Sequence, residues 1–500
     1  MEKLTFRPTF EEAEQLVKTG QYGTVPVSCE IKTNGITPVD VMQKMKKLSN
    51  HCYMLESFED NKEWGRYSFL GFEPLMEITC SNNVTSVKTK LTKQNIDGDP
   101  RAYIRKIISD NKSPQLDYLP SFTGGLVGYF SYDFIKYSEP TLDLDAKDRD
   151  GFKDMDMMLF DKVIAFDNYE NKIVVIVNLD VHSYKTSYYS AVRDAKTLVD
   201  MILNGEKAQD EPLKLKSDFE PLFDKERYCK MVETGKKYIK EGDIFQVVLS
   251  NRLEADMEGS LFDTYKILCN LNPSPYMFYF SGTDGEIAGA SPETLVKLEN
   301  GVLHTFPLAG TRRRGLSRVE DEALEKELLA DEKELAEHNM LVDLGRNDIG
   351  KISKFGTVKV EKYMEIQRFS HVMHIGSTVR GDIRDDKDAI DAVDAVLPAG
   401  TLSGAPKIRA CEIINELEDN KRGIYGGAIG YISFAGNLDT CIAIRLAFSK
   451  NNKVFIRSGA GIVADSVPEN EYNECLQKAA AVVKAVKASA AMNNESGVSK

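Results

Sequence analysis

Hydrophobic and polar residues alternate with a two-residue period in the first part of this chain, which predicts strands. The apolar runs Val163–Phe166 and Ile173–Val177 flank the polar stretch DNYENK, so they predict a β-hairpin. The glycine-rich run Gly124–Tyr129 predicts a further strand. Amphipathic spacing predicts helices near Thr9–Lys18 and over Tyr184–Leu203. The first part of the chain therefore predicts a mixed α/β architecture.

A polar stretch, Asn204–Phe223, contains prolines and shows no clear period, which predicts a linker. The expected organisation is an N-terminal half over residues 1–205, a second half over 224–490 and a tail over 491–500. In the second half, longer helical patterns alternate with apolar strands. The predicted segments are Lys225–Glu241, Phe245–Leu249, Val319–Asn347, Lys387–Val396, Ile408–Glu418, Ala428–Phe434, Cys441–Phe448 and Pro468–Lys487.

The composition is that of a globular protein with an acidic surface. Its 500 residues exceed one ordinary core, 42% are hydrophobic and 28% are charged. The net charge of −13 repels phosphate backbones and the only tight basic cluster is Arg312–Arg314, so no nucleic-acid partner is expected. Apolar runs are too short for a membrane span or a signal peptide, so we expect no membrane association and a cytoplasmic location. The eight cysteines form no CxxC pair and indicate neither a zinc site nor a disulfide framework.

Two pairs of glutamates give the first indication of chemistry. Glu334 and Glu337 lie in the segment KELAEHNMLVDLGRND, and Glu471 and Glu474 repeat their three-residue spacing. Residues three apart share one face of a helix, so each pair presents two carboxylates together. A single pair is usually a solvated surface, whereas two facing pairs suit a hard cation such as Mg²⁺ beside an anionic substrate.

Glycine-bearing loops in the second half favour a site for a small polyanion, because glycine lets backbone N–H groups approach an anion closely. One of them, GTLSGAPK, superficially resembles a phosphate-binding P-loop, but Ala405 and Pro406 interrupt the required ending. Arg445, predicted on a strand, and Lys407, predicted to open a helix, add positive charge. The sequence therefore favours a di-acid over a nucleotide as ligand. The loops are Gly289–Glu293, Gly310–Thr311, Gly400–Lys407, Gly426–Gly427 and Gly459–Gly461.

Taken together, these segments resemble the chorismate-utilising enzymes, and among them the large subunits (component I) of anthranilate synthases. The resemblance covers nearly everything from Asp224 to Lys487 and includes Leu55–Ser57, Gly65–Gly71 and Gly124–Asp133. It implies an α+β fold in which large antiparallel sheets intertwine and helices flank them. The motifs in the family's order are GASPETLV, PLAGTRRRG, AEHNMLVDLGRND, GTLSGAPK, YGGAIGY, DTCIAIR, SGAGIVADS and PENEYNECLQKA.

The resemblance implies a magnesium site. Glu337 and Glu474 would bind Mg²⁺ directly, and Glu334 and Glu471 would hold its water ligands in a second shell. The ion would bind the ring carboxylate of chorismate and draw electrons toward it while a nucleophile adds at ring carbon 2.

The same resemblance implies the groups that bind and convert chorismate. Glu293 would protonate the departing 4-hydroxyl, which requires a carboxyl kept protonated by its surroundings. His374 corresponds to the family histidine associated with elimination of pyruvate, and His371 is the alternative. Thr311 is assigned both to the catalytic residues and to the pocket. The implied substrate-binding residues are Gly310, Thr311, Tyr425, Arg445, Gly459, Ala460 and Gly461.

Two positions separate the close relatives within this family. Enzymes that add water carry a lysine base where this chain has Gln246, which cannot deprotonate water. Aminodeoxychorismate synthases carry a candidate lysine nucleophile where this chain has Ala309. Both positions favour ammonia as the nucleophile, with anthranilate and pyruvate as products. Aminodeoxychorismate synthase component I and isochorismate synthase are the alternatives on this scaffold; a catalytically silent subunit and a nucleotide-binding magnesium protein are the alternatives from other classes.

A glutaminase partner and feedback by tryptophan complete the expectations. None of the eight cysteines has a glycine neighbour, as a nucleophile elbow requires, so we expect a separate glutamine amidotransferase subunit (component II) to supply ammonia. Two segments match the tryptophan site of bacterial anthranilate synthases, and a ligand bridging them would bias the distant chorismate site. The implied tryptophan-binding residues are Leu55, Glu56, Ser57, Pro275, Tyr276 and Met277.

Overall fold

The computed structural model describes residues 4–58, 65–209, 211–368 and 372–496. Within these described residues, helices pack against the faces of large β-sheets. The α-helices are α1 (Phe10–Lys18), α2 (Pro38–Leu48), α3 (Pro100–Asp110), α4 (Tyr184–Asn204), α5 (Lys225–Glu241), α6 (Phe262–Leu271), α7 (Arg318–Ala330), α8 (Glu332–Gly350), α9 (Ala389–Val396), α10 (Lys407–Glu418) and α11 (Pro468–Ser496). Short 3₁₀ turns cover Tyr132–Tyr137, Val181–Ser183 and Gly400–Leu402.

The strands alternate with these helices along the whole chain. In chain order they are β1 (Phe6–Arg7), β2 (Thr24–Lys32), β3 (Cys52–Glu56), β4 (Tyr67–Phe72), β5 (Met76–Ser81), β6 (Val84–Thr89), β7 (Lys93–Asp97), β8 (Gly125–Phe130), β9 (Met155–Phe160), β10 (Lys162–Asp167), β11 (Lys172–Asp180), β12 (Lys214–Leu215), β13 (Glu220–Pro221), β14 (Gln246–Glu258), β15 (Tyr276–Ser281), β16 (Glu286–Ser291), β17 (Thr294–Glu299), β18 (Val302–Thr305), β19 (Leu308–Arg313), β20 (Lys359–Arg368), β21 (Val372–Asp382), β22 (Gly404–Ala405), β23 (Ala428–Ser433), β24 (Leu438–Ile442), β25 (Leu446–Lys450) and β26 (Lys453–Ile462).

The described strands form two antiparallel sheets, and each sheet contains strands from both halves of the sequence. The order in the first sheet is β1-β2-β11-β10-β4-β3-β15-β16-β25-β26-β14-β12, with β13 and β22 also paired to β14. The order in the second is β19-β21-β18-β17-β24-β23-β8-β9-β5-β6-β7, with β20 also paired to β21. The halves meet where β3 pairs with β15 and where β8 pairs with β23. The expected α+β fold with intertwined sheets is therefore confirmed.

An aromatic core holds the two sheets face to face. Tyr53 on β3 of the first sheet meets Phe160 on β9 of the second, with ring centroids 4.6 Å apart. Phe278 on β15 and Ile429 on β23 belong to the same cluster of buried side chains. Burying a side chain of this size contributes about 1.5–3 kcal/mol. Since the two sheets draw on both halves of the chain, this core joins the halves into one body.

Local signals explain where individual helices begin and end. The hydroxyl of Thr9 accepts from the backbone N–H of Glu12, whose carboxylate accepts from the backbone N–H of Thr9, and this capping box starts α1. Helix α5 has the predicted bounds; Asp224 caps its start and Gly242, with φ +86°, ends it. The predicted hairpin is β10 paired with β11.

Three predicted elements differ from the structure. The predicted helix over Val319–Asn347 is two helices, because Asp331 takes a non-helical conformation between α7 and α8 and caps the second. The predicted strand over Cys441–Phe448 is interrupted before Leu446, where β25 begins. Part of the predicted linker is fixed by β12 and β13, which pair with β14.

Helix α11 continues through Ser496, into the segment predicted as a tail. The alternative histidine, His371, lies outside the described residues. None of the helices in the described ranges combines the length and the apolar character that crossing a bilayer requires.

Candidate active site

A β-bulge in β19 fixes the predicted catalytic histidine. Ala309 lies opposite Ile375 and Thr311 lies opposite His374 of β21, so Gly310 is the extra residue, with φ +66°. Nδ1 of His374 lies 2.9 Å from the carbonyl oxygen of Gly310 and 3.1 Å from Oγ1 of Thr311. Donation from Nδ1–H to the carbonyl leaves the lone pair of the neutral ring on Nε2. Burial lowers the pKa of His374, which favours that neutral form.

The four predicted metal carboxylates lie together on the first turns of α8 and α11. Burial raises the pKa of Glu337, and the charges of Glu334 and Glu474 raise it further. Burial and the charge of Glu474 likewise raise the pKa of Glu471. Lys478, one turn further along α11, pairs with Glu474 at 2.8 Å. The helix-face spacing predicted from the sequence therefore brings both glutamate pairs into one electrostatic cluster.

The donor chemistry of this cluster fits a hard divalent cation. Carboxylate oxygens are the ligands that Mg²⁺ prefers, and the repulsion that raises the pKa of Glu337 and Glu471 is what a cation would offset. Within the described ranges, however, no group of three or more His, Cys, Asp or Glu side chains is gathered closely enough to enclose an ion. Charge interactions thus link Glu337 with Glu334 and Glu474, and Lys478 supplies a nearby positive charge.

Glu293 lies between β16 and β17 and lines a cleft together with Leu341, Leu344 and Thr401. Its Oε1 accepts a hydrogen bond of 3.2 Å from the hydroxyl of Thr401. Burial raises the pKa of Glu293 to about 7, although Thr401, Lys478 and Arg445 each favour the charged form. At neutral pH, therefore, the protonated and charged forms of this carboxyl are present in similar amounts, so it can donate or accept a proton.

Arg445 lies in the break between β24 and β25 rather than on a strand, which corrects the prediction. Its φ of +51° is unusual for a residue with a side chain and costs about 1–3 kcal/mol, a strain typical of functional sites. Its carbonyl oxygen accepts from the backbone N–H of Ala290 at 3.1 Å, which holds this conformation. The guanidinium Nη1 lies 3.5 Å from Oδ1 of Asn272. The positive charge of Arg445 lowers the pKa of Glu293, against the larger effect of burial.

The segment Gly459–Gly461 lies on β26, where it pairs with β14 on one edge. Pairing of β26 with β25 on the other edge ends before this segment, so that edge is available to a ligand. A Cβ atom on Gly459 would lie 2.8 Å from Oη of Tyr425, and one on Gly461 would lie 2.8 Å from Nε2 of Gln246. Ala460 between them is buried in the core. Tyr425 and Gln246 thus lie over the face of this strand, where the two glycines leave room for them.

Charges connect these groups into one site. Arg445 lowers the pKa of both Glu293 and His374 electrostatically, although burial is the larger cause of each shift. Lys478 lowers the pKa of Glu293 and of Glu337. A Cβ atom on Gly310 would lie 3.2 Å from Oε2 of Glu334, so the strand that carries Gly310 contacts the helix that carries the carboxylates. The structure therefore brings the acid, the histidine, the arginine and the glutamates together.

Sequence reasoning missed three residues of this site and misassigned one. Thr401, within GTLSGAPK, and Lys478, four residues after Glu474, were within reach of motif and helix-spacing arguments. Asn272 was identifiable only from its contact with Arg445. Lys407 does not face the anion site, because its Nζ donates to Oδ2 of Asp348 at 3.0 Å in the interior.

The two segments predicted to bind tryptophan are neighbours in the first sheet. Met277 of β15 lies directly opposite Glu56 of β3. The carboxylate of Glu56 accepts from the hydroxyl of Tyr265, and burial raises its pKa. Tyr276 donates its hydroxyl to Oδ1 of Asp439 at 2.8 Å. Adjacent strand residues face opposite sides of a sheet, so Tyr276 and Met277 line different faces.

The other members of these segments are accessible in part. Leu55, Ser57 and Pro275 are half-buried, whereas the side chain of Met277 is in the core. The backbone N–H of Phe58 donates to the carbonyl oxygen of Ser274 at 3.3 Å, which joins the two segments beyond the end of β3.

Comparison with known proteins identifies the family. The family described as chorismate binding enzyme matches residues 50–484. The chain is 46% identical to anthranilate synthase component 1 of Acetivibrio thermocellus, over 96% of this chain and 98% of that protein. It is 45% identical to anthranilate synthase component 1 of Acinetobacter calcoaceticus, over 95% and 97%.

Comparison with solved structures identifies the same family. Anthranilate synthase component I from Streptococcus pneumoniae TIGR4 superposes with a TM-score of 0.75 at 40% identity, over 84% of this chain and 92% of that one. The menaquinone-specific isochorismate synthase MenF of Escherichia coli superposes with a TM-score of 0.69 over 95% and 98%; at 18% identity it supports the fold alone. Sequence and structure together establish that this chain belongs to the chorismate binding enzyme family.

Proposed function

We propose that this chain is the chorismate-converting component I of an anthranilate synthase, a cytoplasmic lyase that catalyses the first step of tryptophan biosynthesis. The reaction takes chorismate and ammonia to anthranilate, pyruvate and water. The relatives named anthranilate synthase component 1, which match over nearly their full length, support this activity. The presence of an acid, a neutral histidine and an arginine in one site also supports this activity.

Gln246 supports ammonia over water as the nucleophile. Its amide cannot deprotonate water, whereas free ammonia needs no base to attack ring carbon 2. The amide Nε2 lies beside Gly461, in the segment proposed to bind a carboxylate. Ala309, opposite Ile375 in β19, offers no amine for covalent catalysis.

Glu293 supplies the proton for the first half of the reaction. As nitrogen bonds to ring carbon 2, the 4-hydroxyl leaves and takes the proton of the Glu293 carboxyl, so that water departs. A pKa of about 7 gives a substantial protonated fraction at neutral pH, which an ordinary glutamate lacks. Thr401 orients the carboxyl through its hydrogen bond to Oε1.

His374 acts in the second half of the reaction. His374 removes the proton on ring carbon 2, the bond between the ring and the enolpyruvyl oxygen breaks, and the ring becomes aromatic. The enolpyruvate that leaves takes up a proton at its methylene carbon and becomes pyruvate. The lone pair on Nε2 of the neutral imidazole suits this step, and the Gly310 carbonyl holds the ring through Nδ1.

Arg445, Tyr425 and the free edge of Gly459–Gly461 would bind the carboxylates of chorismate, a task suited to a guanidinium fork and backbone N–H groups. Glu337 and Glu474 would hold Mg²⁺ directly, and Glu334 and Glu471 would hold its water ligands. When bound, the ion would supply a Lewis acid beside the ring carboxylate.

A separate glutaminase subunit would supply ammonia from glutamine. Burial raises the pKa of all eight cysteine thiols of this chain, so none has the thiolate character of a glutaminase nucleophile. Tryptophan would act as feedback inhibitor at the junction of β3 and β15, where the two halves of the chain meet.

The observation that carries this proposal is the proximity of Glu293, with its raised pKa, to Arg445 in a site that has Gln246 where water-adding relatives have a base. The test is anthranilate fluorescence from the purified chain with chorismate, Mg²⁺ and an ammonium salt. Glu293→Gln should lose the activity, whereas Glu226→Gln, in an exposed ion pair on α5, should keep it. Absence of anthranilate from the native chain would overturn the proposal.

A further inference from the structure

The basic cluster Arg312–Arg314 is used within the chain. Arg313 pairs with Glu320 at 2.5 Å and Arg314 pairs with Asp321 at 2.8 Å, both near the start of α7. Arg312 is the least exposed of the three and reaches further, to the junction between α7 and α8. The cluster therefore fastens β19 to the two helices beside the active site.

The guanidinium of Arg312 contacts three carboxylates from those helices. Its Nε donates to Oε1 of Glu327 at 2.9 Å, its Nη2 donates to Oδ2 of Asp331 at 2.9 Å, and its Nη1 lies 3.5 Å from Oε1 of Glu334. The same Nη1 also donates to the carbonyl oxygen of Thr311 at 3.1 Å. The donor fork of arginine is what allows one side chain to hold partners in several directions, and lysine lacks it.

Asp331 links this contact to the start of α8. Its Oδ1 accepts from the backbone N–H groups of Lys333 and Glu334, which caps the helix. Glu334 and Glu337 lie on the turns that follow. A shift of the capped end would therefore move both carboxylates relative to the strand that carries Gly310.

Helices α7 and α8 also pack directly against β19 and β21. The apolar cluster beneath α7 consists of buried Leu328, Met373 and Ile375 with a few partly buried neighbours. Gly310 leaves no spare room, since a Cβ there would lie 3.0 Å from Leu328 and 3.2 Å from Glu334. The ion pairs of Arg312 with Asp331 and Glu334 connect β19 directly with the start of α8.

We propose that Arg312 is a positioning residue for the divalent-cation site: it fixes the first turns of α8 against β19 so that Glu334 and Glu337 face the glutamates of α11. This inference rests on the proposed function for the identity of the cation. It assigns to Arg312 no contact with substrate or metal, and its effect passes through Asp331 and Glu334.

The test measures Mn²⁺ binding to the full-length chain without substrate, by electron paramagnetic resonance of free Mn²⁺ and by calorimetry. Arg312→Lys keeps the charge and loses the fork, and Arg312→Gln loses both. We expect each to raise the dissociation constant of Mn²⁺ about tenfold. Arg313→Gln, which removes the neighbouring and more exposed pair with Glu320, is the matched control and should stay within twofold of the native chain. Circular dichroism establishes that each variant is folded.

Four results would overturn the proposal. Native-like Mn²⁺ binding by Arg312→Lys would show that the fork is not needed. Tighter binding by Arg312→Gln would show that the arginine acts as a repelling charge. An equal loss of Mn²⁺ affinity in Arg313→Gln would show that the effect comes from a general destabilisation of α7. Native chain that binds Mn²⁺ but forms no anthranilate would refute the proposed function and leave the role of Arg312 intact; native chain that binds no Mn²⁺ would refute the role of Arg312.

Discussion

Thr401 donates a hydrogen bond of 3.2 Å to Oε1 of Glu293, a residue 108 positions earlier in the chain. The bond favours the charged carboxylate, yet burial outweighs it and raises the pKa of Glu293 to about 7. The contact joins the 3₁₀ turn Gly400–Leu402 to the segment between β16 and β17. It orients a carboxyl group that keeps its proton near neutral pH.

The first prediction concerns pH. Since the protonated form of Glu293 is the acid, the rate per unit of free ammonia should fall as pH rises through about 7. Thr401→Val removes a hydrogen bond that lowers this pKa, so the midpoint should move to higher pH. The measurement is kcat/KM for chorismate from pH 5.5 to 9, corrected for ammonia protonation. If the midpoint of the pH profile is unchanged in Thr401→Val, Thr401 does not influence the pKa of the acid.

The second prediction concerns the carboxylate cluster. Glu337→Gln or Glu474→Gln removes a charged oxygen ligand facing an anionic substrate, so turnover should fall at least 100-fold at any Mg²⁺ concentration. Glu325→Gln, on α7 outside the cluster, should retain near-normal activity. Magnesium titrations of anthranilate formation make the comparison. Near-native rates in both cluster variants would refute the metal assignment.

The third prediction concerns the nucleophile. With Gln246 in place of a base, the native chain should form anthranilate from ammonium salts and no isochorismate. Gln246→Lys should permit some water-derived product, whereas Gln94→Lys on an exposed edge strand should not. Chromatography of the products separates the two compounds. Substantial isochorismate from the native chain would contradict this account.

The fourth prediction concerns feedback. Tryptophan bridging the ends of β3 and β15 should inhibit anthranilate formation, because these strands come from different halves of the chain. Ser57→Ala and substitutions of Pro275 should relieve the inhibition and leave the uninhibited rate unchanged. Ser183→Ala, remote from both strands, is the control. Equal, tryptophan-insensitive rates in native and Ser57→Ala chains would remove the feedback proposal.

Local signals made several elements predictable. The bounds of α5 follow from Asp224 before it and Gly242 after it, and the apolar runs on each side of DNYENK form the β10–β11 hairpin. Motif resemblance identified Glu293, and the structure brings it into the site with the other predicted groups.

The structure differs from the sequence predictions where a tertiary contact determines the backbone conformation. Asp331 breaks the long helical pattern because its carboxylate caps α8 and meets Arg312 on β19, the strand before α7. Arg445 leaves the extended conformation because its carbonyl meets the N–H of Ala290. The bond between Thr401 and Glu293 spans 108 positions and has no local signal.

The most direct test of the central claim follows the atoms of the reaction. The purified chain is supplied with chorismate, Mg²⁺ and ¹⁵N-ammonium, and separately with ¹⁵N-amide glutamine. We predict ¹⁵N-anthranilate and pyruvate in a one-to-one ratio from ammonium, and neither product from glutamine unless a glutaminase subunit is added. Pyruvate without anthranilate, an aminated product that retains the enolpyruvyl group, or no conversion at all would contradict the claim.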